Sequence, residues 1–198
     1  MSTEQNSEQK AEQVNQRFTY KDYLTWPKTQ PGEILKGVAY ARSPAPSVQY
    51  LEVLGNLYLA FGNYSRNKQG RVFPFPFEVR LPENPEQKDE DIQTVVQPDL
   101  TVVCNEERLD EKGCKGAPDL IIEVLAENTL HRDLYIKLRL YEKAGVPEYW
   151  VVHPKDKTAL VFILEGDTYN APSLYRAEDE ITVGVFPDLK ISLKEIFR

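Results

Sequence analysis

Three residues of this 198-residue chain are of types that chemistry, rather than packing, would put where they stand. Asp99 lies in QPDLTVV, between Pro98 and an apolar run. Glu123 lies in PDLIIEVL, with Ile121, Ile122, Val124 and Leu125 around it. A carboxylate inside such a run is costly, because acids are almost never fully buried unless a protein cation or a metal ion compensates them. Lys137 is the third. On a helix over residues 130–144, stepping ~100° per residue, Leu134, Leu138 and Tyr141 form the core-facing stripe. Lys137 falls at the edge of that stripe, and Arg132, Arg139 and Lys143 fall on the solvent side. Lys137 is then the one basic residue of this helix directed toward the sheet, placed to pair with Glu123 or to reach a phosphate.

Two carboxylates from neighbouring strands and one ammonium suit metal-dependent phosphodiester hydrolysis. Carboxylate oxygens hold a hard cation such as Mg²⁺, or Mn²⁺, that keeps several of its waters. Such an ion polarises a phosphoryl oxygen and acidifies a bound water. An ammonium beside it positions the water or stabilises charge developing on the phosphate. Plainer roles exist for each residue. Asp99 would cap a turn after Pro98, Glu123 and Lys137 would form a structural ion pair, and Asp133 is an ordinary i,i+4 partner for Lys137. Asp119 shares the strand face of Glu123 but sits about 13 Å from it at strand rise, too far to share one ion, and reads as structural. Tyr149 and Trp150 read as strand packing, and His131 and His153 have no metal-ligand spacing.

The elements that must position these groups are legible in outline. Phe18–Trp26 reads as a short helix stopped by Pro27. Residues 33–40 read as a strand pair or one bent strand, with Gly37 supplying the turn. Ser43 to Ser47 reads as a turn, with Ser47 as N-cap of a helix whose apolar face is Leu51, Leu54, Tyr58 and Phe61, ending near Asn63. Strands follow at 70–81, with Pro74 and Pro76 marking an edge or bulge, and at 95–103, interrupted by Pro98. Residues 105–117 read as a charged loop. The run 118–125 fits a central strand covered on both faces. A helix over 130–144 ends at Gly145, and strands are expected at 147–152, 158–164 and 181–185 before a short helix at 193–197. The strand–helix–strand step implies a parallel crossover, so the middle of the chain should be a mixed sheet with helices on its faces.

Composition is that of an ordinary globular domain, 41% hydrophobic and 28% charged. The first 16 residues are polar and carry no apolar run, so they are expected to be a disordered lead-in to one domain over 17–198. No stretch is long and apolar enough to span a membrane. Two cysteines, Cys104 and Cys114, make neither a disulfide scaffold nor a zinc site, which points to a reducing cytoplasm. A net charge of −7 speaks against nonspecific, charge-driven nucleic-acid binding without excluding a nuclease.

The segments GEILKG (32–37), SPAPS (43–47), VVQPDLTVVC (95–104), KGAPDLIIEVLAENT (115–129) and DLYIKLRLYEKAGVPEYWVVHP (133–154) together resemble the Uma2 family of the PD-(D/E)XK nuclease superfamily. The resemblance covers roughly residues 18–165. It implies an α/β, restriction-endonuclease-like mixed sheet with an αβββαβ core, an N-terminal helix and β extension, and C-terminal β additions. It implies a Mg²⁺-dependent endonuclease acting on DNA, with Asp99 as the PD aspartate and Glu123 as the second acid, both on the metal. Leu125 stands two residues after that acid, where a lysine is common in the superfamily. Lys137 matches the KxxxY of this family and takes its place. Glu33 is a further acidic candidate in an E-x-x-x-G element. A homodimer is expected on the same grounds. The departures are Tyr50 where the family often has His, Lys36 before Gly37 in place of an acid, Ala126 for Ser, and His153 for Asp. None falls on Asp99, Glu123 or Lys137, and those at Tyr50 and Ala126 bear on activity or substrate contacts. The competing expectation is a domain that kept the nuclease fold and lost cleavage, serving as a binding or oligomeric scaffold.

Overall fold

The computed structural model describes residues 17–27, 32–41, 47–66, 68, 70–126 and 130–198. The expected lead-in over 1–16 and most of the SPAPS turn lie outside these residues. The chain runs α1 (Tyr20–Tyr23), β1 (Gly32–Leu35), β2 (Val38–Ala41), α2 (Val48–Ser65), β3 (Arg71–Pro74), β4 (Val79–Arg80), β5 (Val95–Val96), β6 (Leu100–Val103), β7 (Leu109–Asp110), β8 (Gly113–Lys115) and β9 (Leu120–Val124). A π-helical stretch, Arg132–Lys137, then passes into α3 (Leu138–Ala144). It is followed by β10 (Glu148–His153), β11 (Thr158–Glu165), β12 (Thr168–Tyr169), β13 (Ser173–Arg176), β14 (Glu180–Thr182), β15 (Lys190–Ser192) and α4 (Leu193–Ile196).

Two sheets carry the fold. The larger has the order β12-β11-β10-β9-β6-β3, with β13 also on β11. Within it α2, β3, β6, β9, α3 and β10 follow one another as the expected αβββαβ unit. The crossover through α3 makes β9 and β10 parallel, while β6 and β9 are antiparallel. The second sheet has the order β2-β1-β5-β4-β8-β7. β5 belongs to one sheet and β6 to the other, so the chain changes sheet at Gln97-Pro98-Asp99. Pro98 has no N–H to donate and cannot continue a ladder, which is why the switch falls there.

β9 is covered on both faces, as its apolar run implies. Leu120, Ile122 and Val124 pack with Val53, Leu57 and Phe61 of α2. Ile121 and Leu125 pack with Leu140 and Tyr141 of α3. Strand alternation puts Glu123 on the α3 side.

Three local expectations need correction. The buried stripe of α2 is Tyr50, Val53, Leu57 and Phe61, whereas Leu51 is 53% exposed and Tyr58 40%. Both stripes satisfy spacings of three and four. The helix is rotated by about one residue because the Tyr50 hydroxyl turns inward to Asp99. Ser47 does cap the helix, its hydroxyl accepting from the Tyr50 N–H. Arg132, expected in solvent, has a side chain only 16% exposed. A π stretch has more residues per turn than an α-helix, so a 100° wheel misplaces residues across it. Finally, residues 105–117 are not a plain loop, because β7 and β8 form a hairpin there.

Candidate active site

Four acids and two cations meet where the two sheets diverge. β1 supplies Glu33, the sheet switch supplies Asp99, β9 supplies Glu123, and the π-helical stretch supplies Arg132, Asp133 and Lys137. Glu33, Asp99, Glu123, Asp133 and Lys137 are all buried. The four residues Asp99, Glu123, Lys137 and Glu33 singled out from sequence are thus brought to one place. Asp119 is not among them: its carboxylate accepts from the Cys104 N–H at 2.6 Å, a structural role.

Lys137 is the hub. Its Nζ lies 2.7 Å from Oε1 of Glu123 and 2.8 Å from Oε1 of Glu33, with Oδ1 of Asp133 at 3.9 Å. Oε1 of Glu33 also accepts from the Gln97 N–H at 2.9 Å. Arg132 Nε stands 3.9 Å from Oε2 of Glu33 and 3.8 Å from Asp133. Asp99 is held by the Val124 N–H, which donates to Oδ2 at 2.8 Å, and by the Tyr50 hydroxyl, which donates to Oδ1. The Tyr141 hydroxyl donates to Oε1 of Glu123 at 2.8 Å.

Burial and mutual charge decide the protonation of this cluster. Burial pushes the Glu123 carboxyl up, and the nearby charges of Asp133, Asp99 and Glu33 add to it against the pull of Lys137, giving about 8. Burial also works to raise Glu33, but Lys137, Arg132 and the Gln97 N–H outweigh it and hold that carboxyl below its ordinary value. Burial opposes the charge of Lys137, and Glu123, Glu33 and Asp133 overcome it, so its pKa stands above that of an ordinary lysine. Ionisation of Glu123 is disfavoured because it is buried in low dielectric among like charges.

Sequence reasoning missed four contributors. Tyr141 enters the sequence reading as a stripe residue and as the tyrosine of KxxxY, without a role, although its i,i+4 relation to Lys137 puts both on one face of a regular helix. Asp133 is the i,i+4 partner of Lys137 that the spacing implies, and its burial is what the spacing does not show. Arg132 was hidden by the π stretch. Tyr50 stood out only as a departure from the family pattern, and it is the residue that holds Asp99.

An excess of carboxylates over cations is the kind of donor set that a hard divalent cation takes. With every group ionised, four carboxylates face two cations, an excess of two negative charges. Lys137 and Tyr141 both bind Oε1 of Glu123, so among the described residues no donor is seen on Oε2. Two carboxylates with retained waters are an ordinary Mg²⁺ set. Among the described residues no group of three or more His, Cys, Asp or Glu side chains is placed to hold a metal ion, so such an ion would rest on two carboxylates and its own waters.

A family model described as "Putative restriction endonuclease", Uma2, matches residues 20–194. Among solved structures, the chain is similar to a protein from Anabaena variabilis whose crystal structure is described as that of "a putative nuclease belonging to DUF820". The TM-score is 0.72 at 16% identity, covering 91% of this chain and 97% of the other. No curated protein matches the chain. The likeness in structure carries the fold, a mixed α/β arrangement of the restriction-endonuclease-like kind, and the family match over nearly the whole length shows that the chain belongs to the Uma2 family.

Proposed function

We propose that this protein is a Mg²⁺-dependent nuclease that hydrolyses DNA phosphodiester bonds. The observation that carries the reading is one buried ammonium, Lys137, shared between two carboxylates, Glu33 and Glu123, with Asp99 beside them at the divergence of two sheets. Asp99 and Glu123 are the residues that would hold the metal. Bound there, the ion would supply Lewis acidity toward a phosphoryl oxygen and a coordinated water.

The chain's own residues do the rest. Tyr50 and the Val124 N–H fix both oxygens of Asp99, so its orientation is set before substrate arrives. Lys137 is shared between Glu33 and Glu123, and its ammonium is the group placed to meet a phosphate oxygen or to orient the attacking water. Glu33, kept ionised, orients Lys137 and can accept from a water. Such preorganised charge is the main lever of phosphoryl-transfer catalysis.

A second reading rests on a specific observation. Lys137 is already engaged by three carboxylates and is 1% exposed. A locked ion pair of this kind also suits a domain that kept the fold as a scaffold.

The deciding experiment is cleavage of supercoiled and single-stranded DNA with Mg²⁺ or Mn²⁺, run beside Asp99→Ala and Lys137→Ala, together with thermal melting with and without metal. Cleavage by the wild type that both variants lose, with a metal-dependent rise in melting temperature that Asp99→Ala abolishes, supports the nuclease. No cleavage and no metal-induced rise supports the scaffold, since a ligand that binds only the folded state must stabilise it.

A further inference from the structure

Beside the acid cluster lies a cavity of about 730 Å³, within the size range of small-molecule sites. Five half-buried rings line it: Tyr23 and Trp26 from the N-terminal segment, Phe73 from β3, and Phe75 and Phe77 from the turn between β3 and β4. Phe73 and Phe77 stack face to face with centroids 4.2 Å apart and planes 6° from parallel. Tyr23 and Trp26 lie 5.2 Å apart. Large apolar rings left partly open to solvent around one hollow are unusual in a domain whose interior is otherwise close-packed.

Two tethers join this cavity to the acids. Gln97 donates its backbone N–H to Glu33 at 2.9 Å, while its side-chain amide reaches the cavity wall and donates to the Tyr23 hydroxyl at 2.8 Å. The Phe75 N–H donates to the Asp99 carbonyl at 3.0 Å. A group seated among the rings is therefore held by backbone that also carries two of the four acids.

The polar lining says what that group is. Glu78, Asp110 and Glu111 stand at the cavity, and carboxylates only accept; Asp110 is paired with Arg80 and Glu78 accepts from the Tyr20 hydroxyl, so Glu111, exposed at the cavity, is the acid that neither pairing engages. They repel phosphate and suit the exocyclic amines and ring N–H groups of a nucleobase. Cations for a backbone lie further out: Lys112 is exposed at the rim, and the exposed Arg71 guanidinium sits 5.0 Å from the Phe73 centroid. Rings for a base's π-face, acceptors for its edge and cations outside for its phosphates form the pattern of single-strand recognition.

We propose that this cavity holds an unpaired nucleobase of the strand whose phosphodiester lies at the Asp99–Glu123–Lys137 cluster. The proposal rests on the nuclease reading and specifies its substrate as single-stranded or locally unpaired nucleic acid. Bases inside a duplex cannot offer their faces to the rings.

Trp26 supplies the probe. The other tryptophan, Trp150, is fully buried with its Nε1–H on Glu148 at 2.7 Å, so quenching of emission by a bound base reports Trp26. The experiment titrates short single-stranded oligodeoxynucleotides, the matching blunt duplex, and deoxynucleoside monophosphates into the full chain in EDTA. Quenching by the single strand, roughly tenfold weaker in Phe75→Ala, absent in Trp26→Phe and absent with duplex, is the expected result. Near-ultraviolet circular dichroism checks that each variant is folded. No quenching by the single strand, equal quenching by duplex, or equal affinity for monophosphate and strand would overturn the proposal. Because these titrations need no metal, they separate the two readings. Metal-dependent cleavage without quenching removes the base site and leaves the nuclease, and quenching without cleavage does the reverse.

Discussion

The ammonium of Lys137 meets Oε1 of Glu123 at 2.7 Å with both side chains almost wholly excluded from water. The contact joins the π-helical stretch to the central strand and neutralises part of an acid cluster that could not otherwise be buried. Replacing Lys137 by Met leaves the ionised Glu33 uncompensated, and removing one partner of a buried pair costs about 3–5 kcal/mol. Glu33 has a lowered folded-state pKa, so its share of this stability is present above its ordinary value and lost as pH falls. Urea unfolding of Lys137→Met should show the full penalty at neutral pH and a shrinking one at acid pH. A penalty that stays constant as pH falls below the ordinary value of 4.5 would contradict this electrostatic account.

Glu123 has the opposite sign. Its folded-state pKa is raised to about 8, so it stabilises the fold most when protonated, and that contribution is lost as pH rises toward 8. Glu123→Gln keeps an acceptor for Lys137 and Tyr141 without the charge. Measured without metal, the stability of Glu123→Gln relative to wild type should climb between about pH 4.5 and pH 8, at no more than about 1.4 kcal/mol per pH unit, and level off above. A flat difference across that range would show that Glu123 is ionised throughout.

Tyr50 donates to Asp99, and hydrogen bonds to charged groups contribute about 1.5–3 kcal/mol. Tyr50→Phe should lose stability in that range. It should also weaken Mg²⁺ binding measured by calorimetry, because Asp99 is no longer held in one rotamer. Ser47→Ala, which removes the cap of the same helix, should cost about 1 kcal/mol and leave metal affinity unchanged. Equal metal affinities in wild type and Tyr50→Phe would limit Tyr50 to a packing role.

Gly113 and Gly116 both have positive φ, +138° and +96°. A Cβ on Gly113 would lie 2.2 Å from the Glu78 carbonyl oxygen, whereas one on Gly116 would meet nothing within 4 Å. Gly113→Ala must break the approach of β8 to β4 and should cost about 3 kcal/mol or more. Gly116→Ala should cost only its backbone strain, about 1–2 kcal/mol. Thermal melts of the two variants give the comparison directly.

Much of this arrangement was written in short-range pattern. An unbroken apolar run has to be a covered strand, so β9 was legible, and with it the anomaly of Glu123. Pro98 has no N–H, so a break before Asp99 was legible. Gly145 takes the left-handed conformation that ends a helix. These follow from the chemistry of one residue and its neighbours.

What sequence left open depended on contacts between distant segments. Two stripes of α2 obey the same helical spacing, and only the carboxylate of Asp99 decides that Tyr50 faces inward. A π stretch is set by how the helix packs, and it turns Arg132 toward Glu33. Glu33 itself stands on a short strand with no local sign of burial; its place is fixed by Lys137 and by the Gln97 N–H across a change of sheet. The types of the catalytic candidates were determined by the sequence. Their convergence on one ammonium, and the aromatic hollow tied to the same backbone, were decided only by tertiary packing, because charge compensation acts between atoms in space and not between neighbours in the chain.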